Sequence, residues 1–335
     1  MSTTRFSRRD SMRFLGAGAL AGLFSGVARG DAPADAKPQA SSTENLQGAG
    51  FYRTMVGATE VILVSDGTFA FSPGLLGANA PAGAVDKALD DLALKPEAAL
   101  AHVNVMLINL GSRKVLVDTG CGSLFGPTTG FALKHLERAG IKPADISDVF
   151  ITHLHPDHIG GLLGDAGTKV LPNATFHMHE TEHAFWSGPN PDLSKVTLDD
   201  EFKKTVTTAA RKLIDLVGPN LKLVKQGEKL ATELEVVHLP GHTPGHSGLR
   251  LGSGADSMLY VTDAVHFPLI QFDHPDWYVA FDTDRDQAVE TRKKILDQAS
   301  TDKSLIAGAH LIFPALGRLR KRDATFDWRG TIWKW

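Results

Sequence analysis

Cysteine occurs once in 335 residues, at Cys121. No intramolecular disulfide can form, and a cysteine-based zinc site is not expected. Cys121 lies between Gly120 and Gly122 with nothing activating beside it, so it reads as a small packing residue. Neither sign of charge dominates. The 35 Lys and Arg against 38 Asp and Glu leave −3, which gives no reason to expect nucleic acid or an anionic membrane as partner. A spanning apolar segment is missing too. The uncharged run from Phe14 to Val27 has fourteen residues, where a membrane-crossing helix needs ~20. No internal repeat is visible. What remains is ordinary globular composition, 42% hydrophobic and 22% charged, in a chain long enough for one large domain or two small ones.

The first thirty residues read as an export signal rather than as part of the fold. Arg8-Arg9 and Arg13 precede the Gly/Ala-rich run, and the small residues around Ala28 suit cleavage. The paired arginines resemble a twin-arginine signal, with the usual Phe delayed to Phe14. This implies a periplasmic or secreted protein. Residues 31–50, rich in Ala, Pro, Ser and Gln, read as a disordered linker. A single domain is expected over 51–335.

Within that domain, short β-rich runs end in chemically loaded turns. Glu60–Ser65 meets Asp66-Gly67, Val103–Leu110 meets Gly111, Lys114–Val117 meets Asp118, and Asp148–Thr152 meets His153. Leu234–Val237 leads to Gly241-His242, Met258–Val261 to Asp263, and Ser304–Ala307 to His310. Amphipathic helical stretches lie between, at Gly130–Gly140, Glu201–Val217 and Asp284–Ala299. Strands and helices in this order predict a layered α/β architecture with the polar residues along one rim.

Thr152-His153-Leu154-His155-Pro156-Asp157-His158 is the strongest signal in the sequence. Residues two apart on a strand face the same way, so His153 and His155 project together. Pro156 ends the strand, and Asp157 and His158 return toward the same space. Imidazole and carboxylate are ligands that zinc and similar borderline ions accept. Four ligands in six residues exceed what one tetrahedral ion conveniently uses, which points to two metals. A chance match to this pattern is on the order of one in a thousand. Further on, Gly241-His242-Thr243-Pro244-Gly245-His246, Asp263 and His310 supply more candidates.

Together these segments resemble the five-part signature of the metallo-β-lactamase superfamily. The resemblance implies an αββα sandwich, with two mixed β-sheets flanked by helices. It implies that His153, His155 and His242 hold one divalent ion, Zn²⁺ in the family pattern, and that Asp157, His158 and His310 hold the other. Asp263 would bridge them, and Asp157 and Asp263 would take part in catalysis. Asp118 would be a structural carboxylate, and His246 a structural residue behind the ligands. Two ions ~3.5–4 Å apart share and activate a water, so no Ser or Cys nucleophile is required.

From about Tyr52 to Pro314 a narrower resemblance holds, to methyl parathion hydrolase and related secreted organophosphorus hydrolases. It rests on Leu124-Phe125-Gly126-Pro127-Thr128, Gln271-Phe272-Asp273 and His310–Pro314 besides the metal motifs. It implies cleavage of aryl phosphotriesters, with Phe125, Trp186, Phe202 and, less directly, Phe281 as an aromatic mouth, and a homodimeric enzyme. The other reading of those aromatics is ordinary core. A lactonase or arylesterase of the same fold is the alternative function, since it shares every ligand. A β-lactamase fits the loops less well. A flavin di-iron oxidoreductase would carry Glu in place of the second motif histidine and an added flavodoxin domain, neither of which is seen. In every reading the partner is a small ester-like molecule.

The export reading sets the mature N-terminus between Asp31 and Lys37. N-terminal sequencing of exported protein checks it, and recovery of an intact Met1 overturns it.

Overall fold

The long strand Thr59–Ala70 buries every residue from Val61 to Val64. Such a run does not alternate polar with apolar because both faces of its sheet are covered. Alternation still sorts the side chains. Val61 and Leu63 join one hydrophobic cluster, Ile62 and Val64 another. In the computed structural model, which describes residues 49–95 and 100–332, that pattern extends through two sheets. The expected export signal, and the expected linker up to residue 48, lie outside the described residues.

The first sheet contains β1 (Phe51–Val56), β2 (Thr59–Ala70), β3 (Leu100–Asn109), β4 (Lys114–Val117), β5 (Asp148–Ile151), β6 (Thr175–His179) and β7 (Leu221–Val224), neighbours in chain order. It is antiparallel from β1 to β4 and parallel from β4 to β7. The second holds β8 (Lys229–Ala231), β9 (Leu234–His238), β10 (Ser247–Leu251), β11 (Met258–Tyr260), β12 (Leu305–Ala307), β13 (Leu316–Arg322) and β14 (Thr325–Gly330), again in chain order. Only β11 and β12 run parallel among its pairs.

Parallel neighbours need crossovers, and helices supply them. These are α2 (Ala132–Arg138), α3 (Pro156–Ile159), α4 (Glu180–Ser187), α5 (Asp200–Val217), α6 (Pro268–Gln271) and α7 (Arg285–Asp302), while α1 (Ala84–Asp91) lies between the antiparallel β2 and β3. Between the sheets, Val61, Met106, Val115 and Phe150 meet Leu234, Val236, Leu249 and Tyr260. On the far side of the first sheet, Ile62, Leu107 and Ile151 pack with Leu136 of α2 and Val206 and Leu213 of α5. On the far side of the second, Leu259 and Ile306 pack with Ile295 and Leu296 of α7. The layers are therefore helix, sheet, sheet, helix.

Two of the longer helices begin on side-chain caps. Asp199 accepts from the Phe202 amide, and Asp284 from the Gln287 amide. The expected turn at Asp66-Gly67 is instead a bulge inside β2, between Ser65 and Gly67. The strand continues to Ala70, and the Asp66 carboxylate gathers the amides of Cys121, Gly130 and Ala132. A Cβ on Gly120 would lie 2.4 Å from that carboxylate carbon, so only glycine fits there. Strands β1, β6, β7, β8, β10, β13 and β14, and helices α1, α3, α4 and α6, were not expected.

At the start of β5, away from the histidine motif that follows its other end, Asp148 joins the sheets. It accepts from Arg113 Nη2 at 2.7 Å, Arg113 Nε at 3.0 Å, His177 Nε2 at 2.8 Å and Ser147 Oγ at 2.8 Å. Arg113 also donates to the Leu230 carbonyl in β8. Burial alone would raise the Asp148 carboxyl, but these bonds hold it at about 2. The stability this contributes is complete above the unfolded value near ~3.9 and is lost as pH falls toward about 2. Asp148→Asn is expected to cost about 1–2 kcal/mol at neutral pH, after allowance for screening. In urea titrations the gap to wild type should close near pH 2; an equal gap at both pH values rejects the account.

Candidate metal centre

Every expected ligand follows the end of a strand or starts a helix. β5 ends at Ile151, and His153 and His155 extend beyond it. His155 is the N-cap of the one-turn α3, where Pro156 presets the first helical position. That turn brings Asp157 and His158 back over His153. His242 comes from the β9–β10 loop, Asp263 from the turn Thr262–Ala264 after β11, and His310 from just beyond β12.

The structure brings all seven together. His153, His155 and His242 form one buried trio with ligand atoms within 4.8 Å of one another, and Asp157, His158 and His310 form a second. Asp263 stands between them. Its Oδ2 is 3.8 Å from His153 Nε2, 3.5 Å from His242 Nε2 and 3.1 Å from His310 Nε2, and its Oδ1 is 3.1 Å from His158 Nε2. Asp157 Oδ2 is 3.5 Å from His158 Nε2 and 3.4 Å from His310 Nε2.

Side chains behind the cluster set which ring nitrogen points inward. His158 Nδ1 donates to Asp118 at 2.8 Å, His242 Nδ1 to Asp282 at 2.9 Å, and His310 Nδ1 to the His102 carbonyl at 2.7 Å. With the proton fixed on Nδ1, Nε2 keeps a lone pair for a ligand. Asp118 also accepts from the Thr152 amide and hydroxyl. It does so from a left-handed backbone, φ 62°, rare for a residue with a side chain. His246 accepts from the Asp263 amide through Nε2 and is anchored to the Leu239 carbonyl through Nδ1. It thereby fixes the backbone of the central carboxylate.

Two observations bear on whether metal fits. His153 Nε2 and His158 Nε2 are buried and have no hydrogen-bond partner among the described residues. An unpartnered buried nitrogen is costly unless something else engages it. The charge states agree. Burial holds His153, His155 and His242 well below their ordinary value, so they are neutral and able to ligate. Burial disfavours the charged Asp263 carboxylate, but His158, His310, His153 and His266 outweigh it and hold the group well below the usual carboxylate range. In the second trio burial disfavours charge on His158 and His310, but Asp263 outweighs it and holds both above their ordinary value, so an ion there would displace protons from those rings.

The aromatic residues divide. Trp186, expected at the mouth, is fully buried, and its indole donates to Glu182 at 2.7 Å. It touches the site only from behind, with its ring 6.1 Å from that of His155. The expectation fails because Trp186 lies on the inner face of α4, which faces the core. Phe202, on the first turn of α5, packs half-buried against the same core. Phe281, the weakest expectation, lies nearest the ligands. Its ring is 5.2 Å from His266, 5.7 Å from His242 and 6.4 Å from His155. From it the rings run to Phe71 at 5.7 Å, Phe69 at 6.1 Å and Phe125 at 4.7 Å, each measured to the one before.

Several residues of the site went unread in the sequence. His266 is buried, with Nε2 3.1 Å from Asp263 Oδ2, yet neither ring nitrogen has an aligned hydrogen-bond partner among the described residues. It could form a further group with His242 and Asp263. Its spacing, three residues after Asp263, was the available signal. Asp282, Glu182, Phe69 and Phe71 carried none, because each is a common residue type outside any motif.

A model of the metallo-beta-lactamase superfamily matches residues 99–310. Among solved structures, AidC, a dizinc quorum-quenching lactonase in complex with the product N-hexanoyl-L-homoserine, is similar with a TM-score of 0.80 and 30% identity, over 85% of this chain and 98% of that one. A hydrolase of the beta-lactamase superfamily, AbOPH, gives 0.78 and 30% over 86% and 99%. An N-acyl homoserine lactonase of Bacillus sp is 23% identical over 177 residues, 52% of this chain and 60% of the relative. The chain thus spans about 60% of the length of the first curated relatives it matches.

Elemental analysis of purified protein is expected to find about two equivalents of divalent metal per chain, removable by chelator with loss of turnover. His153→Ala and His158→Ala should each lower the count toward one, since they belong to different trios. A chelator-stripped protein with full activity rejects the dinuclear site.

Proposed function

The chain belongs to the metallo-β-lactamase superfamily and is a metal-dependent hydrolase; from that premise we propose that it opens lactones of the N-acyl homoserine type, using two zinc ions. The observation that carries this reading is the likeness to the dizinc lactonase AidC, which spans 98% of that chain at 30% identity. The donor set supports zinc, because imidazole nitrogen and carboxylate oxygen are its preferred ligands beside thiolate. Ions in the two trios would supply Lewis-acid polarisation of a carbonyl and a water activated near neutral pH.

The chain's own residues do the rest. Asp157 keeps 14% of its side-chain surface, against 3% for Asp263. It is the carboxylate of the pair open to a substrate and placed to take or return a proton at the leaving oxygen. His266, buried with two free ring nitrogens, is positioned to donate to a substrate oxygen beside Asp263. The phenyl ring of Phe281 presents an apolar wall against His242 and His155, and Phe71, Phe69 and Phe125 extend it outward. An acyl chain would lie along that wall and exclude water from it.

The same rings favour a second reading, hydrolysis of aryl phosphotriesters, because an aryl leaving group stacks on phenyl faces. A good leaving group also needs little help from a general acid. Export by a twin-arginine-type route and assembly as a homodimer belong to this proposal as well.

Turnover of N-hexanoyl-L-homoserine lactone, phenyl acetate and a nitrophenyl dialkyl phosphate by metal-analysed protein separates the readings. The lactone is expected to reach kcat/KM of ~10⁴ M⁻¹s⁻¹ or more, well above the phosphotriester; the reverse order replaces the first reading by the second. Phe281→Ala should raise KM roughly tenfold or more, since burying a phenyl is worth about 1.5–3 kcal/mol. His266→Ala should lower kcat with both metal equivalents retained. Loss of an equivalent would make His266 a ligand instead.

A further inference from the structure

Glu182 belongs to none of the motifs and sits on α4, behind the cluster. It is fully buried, and its two oxygens accept four hydrogen bonds. Oε1 accepts from the Leu154 amide at 2.9 Å and from Trp186 Nε1 at 2.7 Å. Oε2 accepts from the Thr243 hydroxyl at 2.6 Å and from the Gly245 amide at 3.1 Å. Leu154 lies between His153 and His155, and Thr243 directly follows His242. One carboxylate therefore holds both chain segments that contribute the first trio.

The approach is close enough to depend on a missing side chain. A Cβ on Gly245 would stand 2.0 Å from the Glu182 amide nitrogen and 2.4 Å from its Cα, so the β9–β10 loop can reach α4 only with glycine there. The second trio is braced differently. Its His158 is held by Asp118, which also grips Thr152. Asp118 reaches the first trio only through Thr152, whose hydroxyl lies 3.1 Å from His153 Nδ1, and it makes no bond to the His242 loop that Glu182 holds.

We infer that Glu182 is a positioning residue for the first trio, a buried carboxylate that fixes the distance between the His153–His155 segment and His242 and so sets the affinity of that trio for its ion, with Trp186 steering the carboxylate from behind. The inference rests on the dinuclear reading of the site. The geometry explains why an indole that does not line the mouth is hydrogen-bonded within one shell of the ligands. It also explains a carboxylate buried with donors on both oxygens and no cation among the four, since four aligned donors replace the water it lost.

The test uses the whole chain, stripped with chelator and re-equilibrated with limiting zinc. Occupancy at each trio is read by anomalous diffraction from crystals, and affinity by competition with a chromophoric chelator. In Glu182→Gln one oxygen becomes an NH₂ group facing two donors, so one loop loses its anchor. The first-trio ion should bind ~10–100-fold more weakly, the range for losing a partner behind a ligand, while the second-trio ion changes by less than about twofold. Trp186→Phe keeps a ring in the core and removes one donor; it should weaken the first ion several-fold and leave the second alone, and it stands in for Glu182→Gln should that variant not fold. Equal weakening of both ions, or no change in either variant, overturns the inference. If wild-type protein takes up no zinc in either trio, the dinuclear reading itself fails, and that result is distinguishable from the others.

Discussion

The Asp263 carboxylate, ringed by five imidazoles from four chain segments, is the interaction on which the site depends. A lone ionised carboxylate at this depth would be too costly to keep. It persists because His153, His158, His242, His266 and His310 all lie within 3.1 to 3.8 Å of its oxygens. Burial holds His153 and His242 well below their ordinary value, while at His158 and His310 Asp263 outweighs burial and holds the rings above theirs. The cluster is therefore balanced in two directions at once. Carboxylates keep some rings cationic, burial keeps others neutral, and the balance suits occupation by positive ions.

Around that centre a set of carboxylates does mechanical rather than ligating work. Asp66 gathers three amides and shapes the loop after β4. Asp118 orients His158, Asp282 orients His242, and Glu182 ties two ligand segments. Each is buried, and each replaces lost water with donors arranged around both oxygens or nearly so. Backbone strain is concentrated in the same region. Both Asp118 and Thr262, with φ of 62° and 41°, sit where a strand turns into the site. Such conformations persist only where the surroundings over-determine them, and here the surrounding hydrogen bonds do so.

Much of this was legible in the sequence, for a specific reason. Ligands such as His153 and His155 follow a strand of bulky apolar residues, so periodicity and chemistry coincide at one place. The strands buried on both faces announced themselves as apolar runs. Those that failed to do so are short or mixed: β6 reads Thr-Phe-His-Met-His, and β8 has three residues. The supporting residues were not legible, because Glu182 and Asp282 are ordinary acids whose partners lie 4 to 63 and 3 to 40 residues away. Trp186 misled for the same reason. A tryptophan beside loop residues looks like a pocket wall, and only the direction of α4 reveals which way it faces. Phe281 lay outside the quoted motif segments, yet the fold carries it to the ligands.

The order of the strands has one more consequence. β1 to β7 form the first sheet and β8 to β14 the second, so the chain is two consecutive halves laid face to face. His153, His155, Asp157 and His158 come from the first half; His242, Asp263 and His310 come from the second. Each trio draws on both. An ion bound in either trio would therefore act as a rivet between the halves. Ligands that bind only the folded state stabilise it by mass action, about 2.7 kcal/mol for each ion at a hundredfold excess over its dissociation constant. Were both trios filled, the resilience of the fold would in that sense be set by its surroundings, rising and falling with the free metal of the compartment around it.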